Sequence, residues 1–315
     1  MTATETIGAL VFLGFLGIVY LAEVRLGFIY VLGKVRGKLK KGVFTSKWAW
    51  AVHFLAVVGV MCFLWAYFVE PYRVEVSVVR VETEKIAAGS FRIVQISDTH
   101  CDVKGRNEEK VVGLVNSLGA DVVVFTGDAV NTGEALGRFK GMLGRLEAKL
   151  GKFAVRGNHD VWYWGGLDLF GGTGFKVLDG ETAVVVKDGE EIRFSGIGYG
   201  DTGVSKGLLG SLLAEGFNVL LYHTSDIADY LKGFNVDLYL AGHTHGGQVA
   251  LPFYGAIVTL SKNGKKYEAG QYDLGGTVLY VNRGIGMERG LPVRFWARPE
   301  VTVIDVVAKM VVERP

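Results

Sequence analysis

Two long apolar stretches open the chain, and nothing after them has the same character. Ile7–Tyr20 is apolar without interruption, and the run resumes after Glu23 and Arg25 as Leu26–Leu32. Trp48–Val69 is the second stretch, broken only by His53 and edged by Trp48, Trp50, Trp65, Tyr67 and Tyr72. A helix needs about 20 apolar residues to cross a hydrocarbon core, and aromatic side chains settle at both interfaces. The pattern predicts two transmembrane helices, with Glu23 and Arg25 snorkelling or paired near one interface. His53 is then a polar contact of the helix pair. A cleaved signal peptide competes with this reading, but a second span follows and the extreme N-terminus lacks a basic region. From Tyr72 onward Val74, Val76, Val78 and Val81 alternate with charged residues, a strand signature. The division is therefore an anchor over residues 1–70 and a folded domain over 71–315.

Within that domain short β-rich runs end in polar residues. Phe91–Ser97 leads into Asp98-Thr99-His100, Val122–Thr126 into Gly127-Asp128, and Phe153–Val155 toward Gly157-Asn158-His159-Asp160. Val219–Tyr222 leads into His223, and Leu238–Leu240 into Gly242-His243-Thr244-His245. Asn107–Leu118 has apolar residues at helical spacing (Val111, Leu114, Val115, Leu118), and Glu134–Leu150 and Leu208–Ala214 also read as helices. Strands alternating with helices predict an α/β sheet architecture that gathers its functional loops at the carboxyl ends of the strands.

Composition changes this picture little. There are 45 Gly and 5 Pro among 315 residues, the glycines standing singly or in pairs at turns, and no internal repeat. Cys62 and Cys101 are too few for a disulfide framework; Cys62 reads as a packing residue, while Cys101 beside His100 is a weak hint of a thiol or a ligand. Charge matters more. The net charge is +2, yet Lys34, Arg36, Lys38, Lys40, Lys41 and Lys47 lie between the two apolar stretches with no acid among them. Removing those six leaves the remainder at −4, which argues against a nucleic-acid partner.

The chemistry lies at the strand ends. A β-strand presents residues i and i+2 on one face, which makes Asp98/His100 and His243/His245 two ready-made chelating pairs. One D-x-H or H-x-H is ordinarily a solvated or satisfied histidine. Here five of the six histidines in the chain stand at such positions, leaving only His53 in the apolar segment. Mixed carboxylate and imidazole ligands suit Mn, Fe, Zn or Co rather than an all-oxygen Mg or Ca cage.

The order D-x-H (98–100), G-D (127–128), G-N-H-D (157–160), a lone His223 and G-H-T-H (242–245) resembles the calcineurin-like metallophosphoesterase superfamily. The continuation G-H-T-H-G-G-Q (242–248), Asn282-Arg283-Gly284-Ile285-Gly286, Leu291-Pro292-Val293-Arg294 and Arg298-Pro299-Glu300 is similar to the YkuE/YaeI-type branch. That branch includes a UDP-diacylglucosamine pyrophosphatase of lipid A assembly. The resemblance covers Phe91 to Val307. It implies a four-layer αββα sandwich carrying two divalent metal ions, Mn first, with Fe, Zn or Co as alternatives. It implies Asp98, His100 and His245 as ligands of one ion, Asn158, His223 and His243 of the other, and Asp128 bridging both. His159 would contact phosphate and protonate the leaving oxygen, and Asp160 would orient that imidazole. Two departures are visible. Ala129-Val130-Asn131 replaces a stretch where many relatives carry a second Asp, and Thr224-Ser225-Asp226 lacks the usual Pro, so a shifted turn is expected there. Trp162, in the aromatic run that follows the G-N-H-D block, and Arg283 are candidate substrate contacts, with local packing and a turn cap as the alternatives.

The expected activity is hydrolysis of a phosphodiester or pyrophosphate bond by a membrane-anchored, multi-pass protein, with a membrane lipid or lipid-linked phosphate as substrate. Short Lys- and Arg-rich loops stay cytoplasmic, which puts residues 33–47 inside and the catalytic domain outside. UDP-linked substrates are cytoplasmic, so a UDP-2,3-diacylglucosamine pyrophosphatase facing the cytoplasm is the alternative. Other readings are a superfamily member acting on phosphoproteins or cyclic nucleotides, and a non-catalytic receptor retaining the fold; no ligand of the motif is lost, which disfavours the receptor.

Overall fold

The computed structural model describes residues 1–38, 42–87 and 89–309, without the side chains of 202–205. Lys40 and Lys41 of the basic loop, and residues 310–315 of the C-terminal domain, lie outside the described residues.

Helix α1 (Ala3–Val35) starts at a capping box in which Thr2 and Glu5 satisfy each other's backbone N–H groups. Helix α2 (Lys47–Phe68) is capped by Ser46, whose hydroxyl accepts from Ala49 N at 3.1 Å. At about 1.5 Å per residue α2 spans ~33 Å, close to the ~30 Å of a hydrocarbon core. The two helices run antiparallel. Tyr20 donates to the Ala56 carbonyl at 3.2 Å, and Glu23 meets His53 at 2.6 Å. Glu23 thus takes the paired alternative, and the other His53 nitrogen faces the Phe44 carbonyl at 3.2 Å. The remaining side chains are largely exposed, including the apolar Leu13, Ile18, Leu21, Phe54 and Phe63, so the two helices are candidate membrane anchors.

The open ends of this helical hairpin grip the rest of the chain. Glu5 accepts from the Thr259 backbone and hydroxyl at 2.7 and 2.6 Å. At the end of α2, the Ala66 carbonyl accepts from Arg294 N at 2.9 Å, and Glu70 from Ala297 N at 3.0 Å. The turn joining the helices, with its basic residues, is therefore at the end away from the sheets.

Two six-stranded mixed sheets follow. The first contains β1 (Glu75–Thr83), β2 (Ser90–Ile96), β3 (Val122–Phe125), β4 (Gly151–Ala154), β5 (Lys176–Val177) and the final strand β14 (Glu300–Ala308), in the order β1-β14-β2-β3-β4-β5. The second contains β6 (Glu181–Lys187), β7 (Glu190–Gly196), β8 (Phe217–Leu221), β9 (Leu238–Ala241), β12 (Gly270–Asp273) and β13 (Val278–Val281), in the order β12-β13-β9-β8-β7-β6. A short hairpin, β10 (Ala250–Leu251) and β11 (Gly255–Ala256), stands apart. Phe91, Ile93, Val122 and Val124 of the first sheet pack on Phe194, Phe217, Val219 and Leu238 of the second. The outer face of the first sheet buries Val94, Ile96, Val123 and Phe125 under α3 (Glu108–Ser117) and α4 (Leu136–Gly144). Leu220, Tyr222 and Tyr239 do the same on the second, beneath α6 (Thr202–Gly210). Burial on both faces explains why the central strands are uniformly apolar rather than alternating. This is the expected αββα sandwich.

Two helices differ from expectation. α4 stops at Gly144, yet Leu146 is buried beyond it, so apolar spacing continued past the helix itself. α6 lies at 202–210 rather than 208–214; Leu212 is buried after the helix has ended.

Candidate metal centre

Strands β2, β3 and β4 are parallel to one another, as are β8 and β9. Their carboxyl ends meet at one edge of the sandwich, where seven expected ligands converge. Asp98 accepts from His243 N at 3.0 and 3.1 Å through its two oxygens. His245 Nε2 is 3.5 Å from Asp98 Oδ1, and His100 Nε2 is 3.6 Å from Asp128 Oδ2. His223 Nε2 is 3.3 Å from Asp128 Oδ2 and 3.0 Å from Asn158 Oδ1. Donor atoms of Asp98, His100 and His245 lie within 4.8 Å of one another, and so do those of Asp128, His223 and His243.

The pairing read from strand periodicity holds for Asp98/His100, whose donors share one group, and not for His243/His245. Asp98, His100, Asp128, His243 and His245 all lie beyond their strands with φ of 48°, 38°, 59°, 72° and 52°. That left-handed backbone is unfavourable for side chains with a Cβ and collects at functional sites. It turns His243 away from His245 and into the Asp128 group. Neutral backbone contacts hold these loops together: Asp98 N reaches the Gly127 carbonyl at 2.8 Å and His100 N the Asp128 carbonyl at 3.1 Å. Two glycines permit the approach. A Cβ on Gly157 would stand 2.1 Å from Asp128 Oδ1, and one on Gly242 would stand 2.2 Å from Asp98 Oδ2.

The histidine tautomers are set by carbonyl and amide neighbours. His100 Nδ1 faces Asn131 Oδ1 at 3.0 Å, and the Asn131 amide nitrogen donates to the Met287 carbonyl at 3.0 Å. Asn131 therefore accepts from His100 and leaves its Nε2 deprotonated. His223 Nδ1 faces the Thr126 carbonyl at 2.6 Å, again freeing Nε2. His243 Nε2 faces the Leu260 carbonyl at 3.4 Å, which leaves Nδ1. The Nε2 atoms of His100 and His245 are buried and have no hydrogen-bond partner. Unpartnered basic nitrogens beside buried carboxylates are what a cation site requires, so the residues fit divalent metal.

The electrostatics show a site that draws positive charge, here as a proton on His223 where a bound cation would displace it. Burial opposes charge on His223, but the Asp128 and Asp98 carboxylates override it and push its pKa up to about 10. Burial likewise opposes charge on Asp128, yet the neighbouring imidazoles hold it well below the usual carboxylate range. Burial, then His223, depress His243 to about 4.

Other expectations meet different outcomes. His159 points into the site edge, its Nε2 3.2 Å from Glu288 Oε1. Asp160 does not orient it. Both Asp160 oxygens are taken by backbone N–H groups, from Asp128 and Gly157 at 2.8 and 2.9 Å and from Ala129 at 2.8 Å. It is a staple between the β3 and β4 loops, and it caps α5 (Asn158–Trp162). Arg283 is also elsewhere: its guanidinium pairs with Glu75 and Glu300 at 3.1 and 3.2 Å, so its charge is already used. Trp162 is 59% exposed and lines a pocket of about 590 Å³ with His159, His243, His245, Leu260 and Glu288. Trp164, by contrast, packs inward and donates to the Val130 carbonyl. Cys101 is buried, which raises its thiol pKa, and it belongs to none of the donor groups.

Three residues went unassigned in the sequence. Glu288 follows the quoted G-I-G by two positions, and its being the acid nearest that motif was the available signal. Asn131, whose departure from the family pattern left it without a role, orients His100. Arg294, within the quoted L-P-V-R, is fully buried. It donates to the carbonyls of Arg283, Gly284, Gly286 and Ala297, with Nη2 3.2 Å from His245 Nδ1.

Comparisons with known proteins bear on this site. Residues 91–247 match the family described as calcineurin-like phosphoesterase. The chain is 36% identical over 258 residues to an uncharacterized metallophosphoesterase, YkuE, of Bacillus subtilis, covering 77% of this chain and 88% of that one. It is 29% identical to phosphodiesterase YaeI of Escherichia coli, covering 78% and 93%. It is 25% identical to UDP-2,3-diacylglucosamine pyrophosphatase LpxG of Chlamydia muridarum, again covering 78% and 93%.

Proposed function

The chain belongs to the calcineurin-like phosphoesterase family, a family of hydrolases, and from that premise we propose that it is a membrane-anchored phosphodiesterase or pyrophosphatase using two divalent ions, Mn first among them. The observation that carries this is the pair of buried, unpartnered Nε2 atoms of His100 and His245 facing Asp98 and Asp128. In this reading Asp98, His100 and His245 would hold one ion, Asn158, His223 and His243 would hold the other, and Asp128 would serve both. Such ions supply an acidified water and neutralise charge on the phosphoryl oxygens. The chain does the rest. His159, whose pKa Glu288 and Asp128 raise against the effect of burial, donates a proton to the leaving oxygen. Asn131 and the Thr126 carbonyl hold two imidazoles in the binding tautomer. Trp162, Leu260 and Leu291 give the pocket mouth an apolar rim.

Residues 1–70 form the anchor and 71–315 the catalytic domain, with a lipid-linked phosphate as substrate. Support comes from the exposed apolar faces of α1 and α2 and from the LpxG relatives. The basic turn at the far end of the hairpin favours an extracytoplasmic catalytic domain. The LpxG relatives favour a second reading, a cytoplasmic UDP-2,3-diacylglucosamine pyrophosphatase. The test is hydrolysis of bis-p-nitrophenyl phosphate by the detergent-purified chain with added Mn²⁺. Activity that Asp128→Ala removes together with bound metal supports the reading. A metal-loaded wild type without activity on any phosphodiester or pyrophosphate sinks it.

A further inference from the structure

We propose that the groove between the first turns of α1 and the β10–β11 hairpin is an acyl-chain site of the substrate lipid; this rests on the lipid-linked reading above. The groove holds about 530 Å³ and is lined by Ile7, Val11 and Phe15 on one side and Leu251, Pro252 and Ile257 on the other. Its occupant follows from three observations.

First, one wall is a helix whose outward side chains are built for lipid: Ile7, Val11 and Phe15 are all exposed. The groove therefore opens along ~12 Å of a membrane-spanning surface, the eight rises of about 1.5 Å from Ile7 to Phe15. Second, the hairpin tip is apolar and projects outward. Phe253 is fully exposed although its φ is 65°, an unfavourable conformation for an aromatic residue. Water provides no return for such an exposed ring, whereas hydrocarbon does. Third, the groove and the catalytic pocket are walled by consecutive residues of one segment. Leu251, Pro252, Tyr254 and Ile257 line the groove, and Val258, Thr259 and Leu260 line the pocket that holds His159 and His243. The Glu5–Thr259 hydrogen bonds lock α1 to that shared wall. Gly8 lets Tyr254 of the hairpin approach α1, since a Cβ there would stand 2.3 Å from the Tyr254 hydroxyl oxygen. The apolar groove on the bilayer side and the pocket that holds the histidines thus lie on either side of one wall, Ile257 lining the first and Val258 to Leu260 the second.

The experiment uses the full chain in detergent micelles with Mn²⁺ and two probes, methyl and dodecyl 4-nitrophenyl phosphate, at fixed surface dilution. The readout is the ratio of their kcat/KM values. Wild type should prefer the dodecyl ester by ~tenfold or more, because each buried methylene adds favourable transfer energy. Val11→Trp fills the groove and should bring the ratio near one. Leu13→Trp, on another face of α1, should keep it. An unchanged ratio in Val11→Trp, or an equal fall in Leu13→Trp, overturns the groove. Failure of wild type to cleave either diester instead overturns the phosphodiesterase reading and the groove with it. Should Val11→Trp not fold, a diazirine-bearing dodecyl phosphate is cross-linked to wild type. Label confined to the peptides of residues 7–15 and 251–257 supports the site, and label spread over α1 and α2 overturns it.

Discussion

His159 and Glu288 pair at the edge of the site, Nε2 to Oε1 at 3.2 Å, and their contact makes a kinetic prediction. Burial lowers the His159 pKa, but the Glu288 hydrogen bond and the Asp128 charge raise it overall. A general acid works while protonated, so activity is lost as pH rises through its pKa. His159→Ala should keep its bound metal and lose ~10²–10⁴ in kcat. Glu288→Gln removes a cause of the raised pKa, so the alkaline limb of kcat/KM should move to lower pH with metal content intact. Loss of metal from Glu288→Gln, measured by elemental analysis, would place Glu288 among the ligands instead. Gly157 is the structural counterpart at this scale. Gly157→Ala should release metal, because its Cβ would collide with both Asp128 Oδ1 and the Asp128 backbone nitrogen; a fully loaded Gly157→Ala protein would show that the loops can part.

Among the elements, the strands were the most legible, since apolar runs buried on two faces leave a plain trace. β2, β3, β8 and β9 lie within two residues of their expected ends. Helix limits were less so, because buried loop residues such as Leu146 and Leu212 continue a helical spacing without being helical. What aligns strands is also partly polar. Asp121, buried before β3, accepts from Arg92 N at 2.8 Å and from Lys187 at 2.7 Å, tying β2 to β6 across the sandwich. Burial would raise its pKa, but these donors lower it below the ordinary 3.8. The depressed group contributes stability above its unfolded pKa and loses it as pH falls through the folded value. Asp121→Asn should cost about 2 kcal/mol at pH 7. The difference from wild type should shrink below pH 3.8, as followed by urea unfolding; a pH-independent difference would remove charge from the explanation.

At the scale of the whole molecule, the two helices are held by both of their open ends, through Glu5 and through Ala66 and Glu70. The basic turn and the catalytic edge are therefore at opposite ends of the hairpin, and one orientation decides both. The described bases of that turn, Lys34, Arg36, Lys38 and Lys47, predict that it stays cytoplasmic. Alkaline phosphatase fused after Pro315 should then be active and green fluorescent protein at the same place dark. Fluorescence with inactive phosphatase would reverse the orientation and raise the cytoplasmic UDP-lipid reading above the extracytoplasmic one.

The five strand-end motifs, their order and the concentration of histidine beside glycine were readable along the chain, because metal chemistry demands particular donor types and a sheet delivers them at strand ends. Family, sandwich architecture and the apolar hairpin followed from that local information. Partnership did not. Asp160 reads as an orienting carboxylate until the backbone N–H groups of two loops are seen to fill it. Arg283 reads as a phosphate ligand until Glu75 and Glu300, far away in sequence, take its charge. Glu288, Asn131 and Arg294 acquire roles only where separate loops meet, and His243 and His245 separate only because left-handed backbone breaks the two-residue period. Residue type and spacing are local properties of a chain. Which donor meets which acceptor in a buried site is settled by packing between distant segments, and that belongs to the tertiary structure.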